Sequence, residues 1–292
     1  MTRRRRAPAV LLAAVALAAS GTACGGLAPE VRVGSKKFTE SVVLGEIVTQ
    51  VLRSTGTRAE HRAQLGGTQV LWHALLAGEI DLYPEYTGTI REDILRGTAV
   101  DADEESLRRA VAVRGVGMSG VLGFDDSYAL GMKEADAARL GATRISDLRG
   151  LPRLRLAFSE EFLHRRDAWP ALKERYGLPQ TDVRSLDHDL AYRALAAGDV
   201  DVVDLYTTDA EIPFYKLRIL EDDLGNFPRY RAVLLYRLDL PERAPSALAS
   251  LAVLEGRIAA TDMQRLNARA KIDRVPEPVV AADFLATALG ME

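Results

Sequence analysis

The chain has 292 residues, 48% hydrophobic and 27% charged, which is enough for a sizeable core and excludes wholesale disorder. A mean hydropathy of −0.04 excludes a protein that crosses a membrane many times. With 38 basic and 41 acidic side chains there is no basic excess for a nucleic acid, and one cysteine excludes a disulfide framework or a cysteine zinc cage.

The first segment reads as targeting. Arg3–Arg6 are basic, Ala9–Ala19 are apolar, and Ser20, Gly21, Thr22 and Ala23 lead to Cys24. The pattern resembles a bacterial lipobox, which implies a signal peptide over residues 1–23 and a lipid on Cys24. Gly21 stands where such a motif usually carries an aliphatic residue, so ordinary cleavage near Ala23 or a retained N-terminal anchor stays open. Removal of this segment, with its four arginines and no acid, leaves 269 residues of net charge −7.

Beyond it, strands and helices alternate. Val31–Gly34 reads as a strand, and Thr39–Ser54 as a helix with Val43, Leu44, Ile47, Val48, Val51 and Leu52 at helical spacing. Strand Arg58–Leu65, helix Val70–Ala77 with Thr68 as its cap, strand Ile80–Tyr83 and helix Asp101–Val113 follow. After Ser127–Met132 come strand Leu154–Ala157, helix Ala168–Tyr176, strand Asp182–Ser185, helix Leu190–Ala197 and strand Val200–Leu205. The tail from Ser246 is mainly helical. Such alternation predicts βαβ units and a largely parallel sheet.

The chain also repeats itself. Ala74–Asp81 is matched by Ala194–Asp201, and the same shift of 120 carries Trp72 to Tyr192, Tyr86-Thr87 to Tyr206-Thr207, and Phe38-Thr39-Glu40 to Phe158-Ser159-Glu160. Two similar α/β lobes follow, each with a Tyr-Thr pair just past an equivalent strand. Ligands of open parallel sheets bind outside the carboxyl ends of strands, so two such edges facing one another make a binding cleft.

Enzyme and metal motifs are weak. Gly115–Gly120 spells G-x-G-x-x-G, but a helix precedes it and a strand-like stretch follows, the reverse of the dinucleotide context. His61, His73, His164 and His188 lack metal spacing and read as surface or packing residues. Asp187-His188-Asp189 opens a helix, where acids suit the dipole. No cofactor, metal or catalytic residue is implied. Tyr86, Tyr128, Tyr206 and Tyr230 sit in polar, turn-like settings, whereas Tyr176, Tyr192 and Tyr215 read as half-buried rings with wet hydroxyls. Four rings around one cleft would attract a cation by about 0.5–2 kcal/mol each, with quaternary ammonium as the usual target.

Gly34–Glu40, Gly78–Thr89, Leu122–Leu130, Leu220–Asp223 and Asn226–Tyr230 resemble the glycine betaine/choline/carnitine substrate-binding proteins of osmoprotectant ABC transporters. The resemblance spans roughly residues 31 to 290. It implies a two-lobed periplasmic-binding-protein (type II) fold with the ligand cleft between lobes, and no enzymatic activity. It also implies a cage of Tyr86, Tyr128, Tyr206 and Tyr230 around the trimethylammonium head, with Asp126 beside it. Lys36, Thr89 and Arg165 match positions that hold the ligand's polar end. Around Arg165 the chain departs from its relatives, and Arg166 competes for the inward position.

The resulting expectation is an exported, lipid-anchored protein on the outer face of the cytoplasmic membrane. Its partners would be a quaternary-ammonium osmolyte and an ABC permease with its ATPase, with no nucleic acid. Lobe one would be 30–125 plus 231–292 and lobe two 126–230, with crossings near Asp126 and Tyr230 forming a hinge. The same fold with an amino acid or polyamine as cargo, and a surface-anchored hydrolase or transferase, are the alternatives.

Overall fold

The computed structural model describes residues 31–101, 103–164 and 168–291. The export segment, Cys24, Arg165 and Arg166 lie outside the described residues.

Among the described residues, ten strands form two five-stranded sheets. The first contains β1 (Val31–Lys36), β2 (Ala59–Gly66), β3 (Leu82–Tyr86), β4 (Val116–Met118) and β10 (Ala232–Arg237), in the order β2-β1-β3-β10-β4. The second contains β5 (Tyr128–Lys133), β6 (Leu156–Phe158), β7 (Val183–Ser185), β8 (Val202–Tyr206) and β9 (Leu217–Leu220), in the order β7-β6-β8-β5-β9. Each has three parallel strands followed by two antiparallel pairings. The expected parallel sheet is therefore mixed. The chain crosses between the sheets before β5 and before β10, and those two arriving strands run antiparallel to β8 and β3.

Helices cover both faces of each sheet. The helix Thr39–Ser54 buries Val43, Leu44, Ile47, Val48, Val51 and Leu52 against β1, β3 and the C-terminal helices Ala260–Lys271 and Glu277–Leu289. The opposite face is packed by Leu71, Trp72 and Leu75 of helix Thr68–Leu76 and by Leu107 and Val111 of helix Glu104–Ala112. The second sheet lies between two clusters of its own, one around Phe158, Phe162 and Tyr176, the other around Tyr192, Leu195 and Leu205. Among the described residues no helix is long and apolar enough to cross a membrane.

The repeat has a physical basis. Asp81 precedes β3 and accepts hydrogen bonds from the Arg32 backbone (2.8 Å), Nε (3.0 Å) and Nη2 (3.0 Å). Asp201, before β8, holds Arg155 in the same three ways, at 2.8, 3.0 and 2.7 Å. Each aspartate locks the start of its strand to the neighbouring one. Gly78 and Gly198 end the preceding helices at φ +71° and +82°, where a side chain would be strained.

Local details differ from the sequence pattern at three points. Gly67, rather than Thr68, caps the second helix. Tyr86 and Tyr206 are the last residues of β3 and β8, not residues beyond them. Tyr176 and Tyr192 are fully buried instead of wet, because carboxylates inside the fold receive their hydroxyls: Asp222 at 2.6 Å and Asp209 at 2.5 Å.

Candidate functional site

The carboxyl ends of β3 and β8 open onto one cavity of about 1510 Å³ between the sheets. Tyr86 ends β3, Tyr128 begins β5, Tyr206 ends β8, and Tyr230 lies two residues before β10. The register makes their convergence unavoidable: Tyr128 pairs across from Tyr206, and Ala232 across from Tyr86. The rings of Tyr128 and Tyr206 are 4.9 Å apart, with Tyr230 edge-on to Tyr128 at 6.4 Å. Tyr230 lies over Gly88, where a Cβ would come within 2.6 Å of the ring. Phe38 adds a fifth ring 6.3 Å from Tyr86.

Lys36, Thr89 and Asp126 line the same cavity, so every expected site residue within the described segments is gathered there. Lys36 is nonetheless committed elsewhere. Its ammonium lies 2.5 Å from Glu85 Oε1 and 5.6 Å from the centre of the Tyr86 ring. Burial pushes the Glu85 carboxyl up, against the pull of Lys36.

Glu40 was not anticipated as a site residue. It sits in the first turn of helix Thr39–Ser54, accepting hydrogen bonds from Tyr86 Oη at 2.6 Å and Asn267 Nδ2 at 2.9 Å. Burial outweighs these bonds and raises its carboxyl to about 7. Asp126 accepts a bond from Thr208 Oγ1 at 2.5 Å. Its carboxyl is raised well above the ordinary range, by burial and then by the Glu40 charge.

The sequence suggests a surface or packing role for His188, yet it lines the cavity, its ring 5.2 Å from that of Tyr206. Asp209 lies 3.0 Å from its Nε2 and Asp204 3.7 Å from its Nδ1. Burial opposes its charge, but the two aspartates outweigh burial and hold the imidazole at about 10. As expected, Asp187 caps the helix that His188 opens. Asp209 also accepts from Tyr192 Oη and the Tyr206 backbone. The helix Ala260–Lys271 bridges the sheets. Asn267 Nδ2 reaches both Glu40 and the Thr208 carbonyl (2.9 Å each), and Lys271 joins Asp189 (2.9 Å) and Glu211 (2.8 Å).

Of these unanticipated groups, Glu40 carried a signal, since Phe38-Thr39-Glu40 belongs to the repeat. Asn267 lies 227 residues from Glu40 along the chain, and nothing local marks the pairing.

Five aromatic rings, the buried Glu40 and the half-buried Asp126 line one cavity, and among the described residues no group of His, Cys, Asp or Glu could hold a metal. The family described as the substrate-binding domain of the ABC-type glycine betaine transport system matches residues 29–287. The chain belongs to that family. That family is one of transport substrate-binding proteins, not enzymes. This substrate-binding protein is 32% identical over 293 aligned positions to the glycine-betaine-binding protein of Pseudomonas aeruginosa, covering 94% of each chain. It is 31% identical over 258 residues to the ergothioneine transport permease/ergothioneine binding protein EgtU of Helicobacter pylori. That alignment takes in 87% of this chain but 46% of the relative, so the chain spans about half its length. A crystal structure of a glycine betaine/carnitine/choline ABC transporter superposes with a TM-score of 0.84 at 25% identity, covering 90% of this chain and 100% of that one. The two-lobed type II binding-protein fold follows from the two sheets and that superposition.

Proposed function

We propose that this protein captures a trimethylammonium compound outside the cytoplasm, in the tyrosine-lined cleft, and delivers it to an ABC permease. The observation that carries the reading is the convergence of Tyr86, Tyr128, Tyr206 and Tyr230 with two acids, Glu40 and Asp126, on one cavity. A quaternary ammonium offers no hydrogen-bond donor, so it is recognised by ring faces and by opposite charge. Both are supplied here. Lobes divided near Asp126 and Tyr230 would close over the ligand, excluding water and strengthening both interactions.

Arg165 is proposed to hold the carboxylate of a zwitterionic ligand. Its planar fork suits two oxygens, and Lys36 is already paired with Glu85. A lipid on Cys24 is proposed as the membrane anchor, and Cys24→Ser should release the protein from membranes and abolish acyl labelling.

Calorimetric titration with choline, glycine betaine, carnitine and ergothioneine tests the reading. Ergothioneine belongs in the panel because a relative at 31% identity is named for it. Dissociation constants between micromolar and millimolar, about −8 to −4 kcal/mol, are expected for at least one of them. Silence from every quaternary amine at tens of millimolar, with an amino acid or polyamine binding instead, would replace the reading.

A further inference from the structure

Two carboxyl groups face the tyrosines from different parts of the chain, and neither has a basic partner among the described residues. Glu40 comes from the helix that follows β1, and Asp126 from the crossing that leads into β5. The hydrogen-bond donors on them are neutral: Tyr86 and Asn267 on Glu40, Thr208 on Asp126. Of the bases lining the cavity, Lys36 is engaged with Glu85, His188 with Asp204 and Asp209, Lys271 with Asp189 and Glu211, Arg91 with Glu92 and Arg96 with the Glu92 carbonyl, while Lys37 is exposed to solvent. The charges that act most strongly on the pair are acidic. Asp209 bears on both, Asp125 adjoins Asp126, and Glu85 lies behind Tyr86.

Two carboxyl groups that share a site resist ionising together, and a counter-cation relieves that resistance. We propose that Glu40 and Asp126 retain a proton between them in the ligand-free protein and release it when a permanent cation enters, so that the site exchanges a proton for its ligand. This deepens the proposed function and rests on its trimethylammonium reading. The balance is simple: one positive charge enters, one proton leaves to solvent, and the cavity keeps its net charge. Glu40 thereby becomes a ligand-binding residue, the second carboxylate facing the cationic head.

The sign follows from the ionisation states. Burial places the Glu40 carboxyl near 7 and Asp126 well above its ordinary value. A cation favours the ionised forms, so binding strengthens as pH rises and protons appear in the buffer. The imidazole of His188, held at about 10, is not the source at neutral pH.

Choline and tetramethylammonium are the probes, since neither has a group that titrates near neutrality. Calorimetry at pH 7 in buffers of different ionisation enthalpy counts the protons released. About half a proton or more per choline is expected, together with affinity roughly tenfold tighter at pH 8 than at pH 5.5. In Glu40→Gln the release should fall toward zero and the affinity should become level with pH. Asp126→Asn and the wild-type buffer series decide the matter if Glu40→Gln does not fold. Binding without proton release sinks the exchange and leaves the quaternary-ammonium reading standing. Undiminished release from both variants removes the proton from this pair and overturns the assignment. No binding of either probe or of glycine betaine at any pH ends both.

Discussion

Gly88 has no room for a methyl group, because its absent Cβ points into the face of Tyr230 at 2.6 Å. Gly88→Ala should tilt that ring out of place and weaken choline or glycine betaine by about tenfold, or 1.4 kcal/mol, in titration. Unchanged affinity would mean that Tyr230 does not touch the ligand. The four tyrosines are also not equivalent toward loss of the hydroxyl. Tyr206 Oη bonds only weakly to Tyr128 Oη, at 3.3 Å, whereas Tyr86 Oη donates to Glu40 at 2.6 Å. Tyr206→Phe keeps the ring face and should bind nearly as the wild type does. Tyr86→Phe strips a buried carboxyl of a donor, a loss of about 1–3 kcal/mol. Alanine at either position opens a hole that admits water beside the cation and should be worse than phenylalanine. Equal losses for Phe and Ala at position 206 would show that hydroxyls, not ring faces, hold the ligand.

The arginine–aspartate clamps that start β3 and β8 set the strand ends from which the site hangs. Asp81 is fully buried and serves Arg32 and also Arg243, at 2.6 Å. The Asp201 side chain is 27% exposed and serves Arg155. Removing one partner of a buried pair costs about 3–5 kcal/mol, and solvent access reduces that. Asp81→Asn should therefore lower the urea midpoint clearly more than Asp201→Asn. Equal effects would show that the second clamp is as dry in solution as the first. Burial opposes ionisation of Asp81, but the hydrogen bonds from Arg32 and Arg243 prevail and hold its carboxyl below the usual range. Its contribution is thus present above the ordinary aspartate pKa and is lost as pH falls through the lowered folded value.

For the whole molecule, the raised groups Glu40, Asp126, Glu85 and His188 make ligand-free stability fall with rising pH. Glu40 keeps a proton to about 7 in the fold against an ordinary value of 4.5, so its proton favours the native state less and less across that interval. His188 is held at about 10 against an ordinary 6.5, so its stabilisation is complete below 6.5 and is lost as pH rises through 10. The melting temperature of the ligand-free protein should decline between pH 5 and pH 10. His188→Gln should flatten the alkaline half of that curve and leave the acidic half in place. A melting temperature that climbs from pH 7 to pH 9 would show that the imidazole is not held charged.

Sequence by itself determined the alternation of elements, because apolar spacing in Thr39–Ser54 and the paired Gly-Glu-Ile-Asp and Gly-Asp-Val-Asp stretches are local patterns. It determined the two-sheet architecture as well, since the shift of 120 reproduces the same strand, the aspartate that precedes it and the tyrosine that ends it. The candidate tyrosines were legible because each sits beside turn chemistry at a strand end. Only the tertiary structure decided the mixed sheets, which arise where the chain crosses between them and returns antiparallel. It alone brought Glu40 and His188 to the cavity beside the expected Asp126. Glu40 looks like an ordinary acid in a first helical turn until Tyr86 and Asn267 close over it. His188 looks like a helix-opening residue until Asp204 and Asp209 bracket it. Charge states of buried groups depend on desolvation and on neighbours far away in the chain, and neither quantity is written in local spacing.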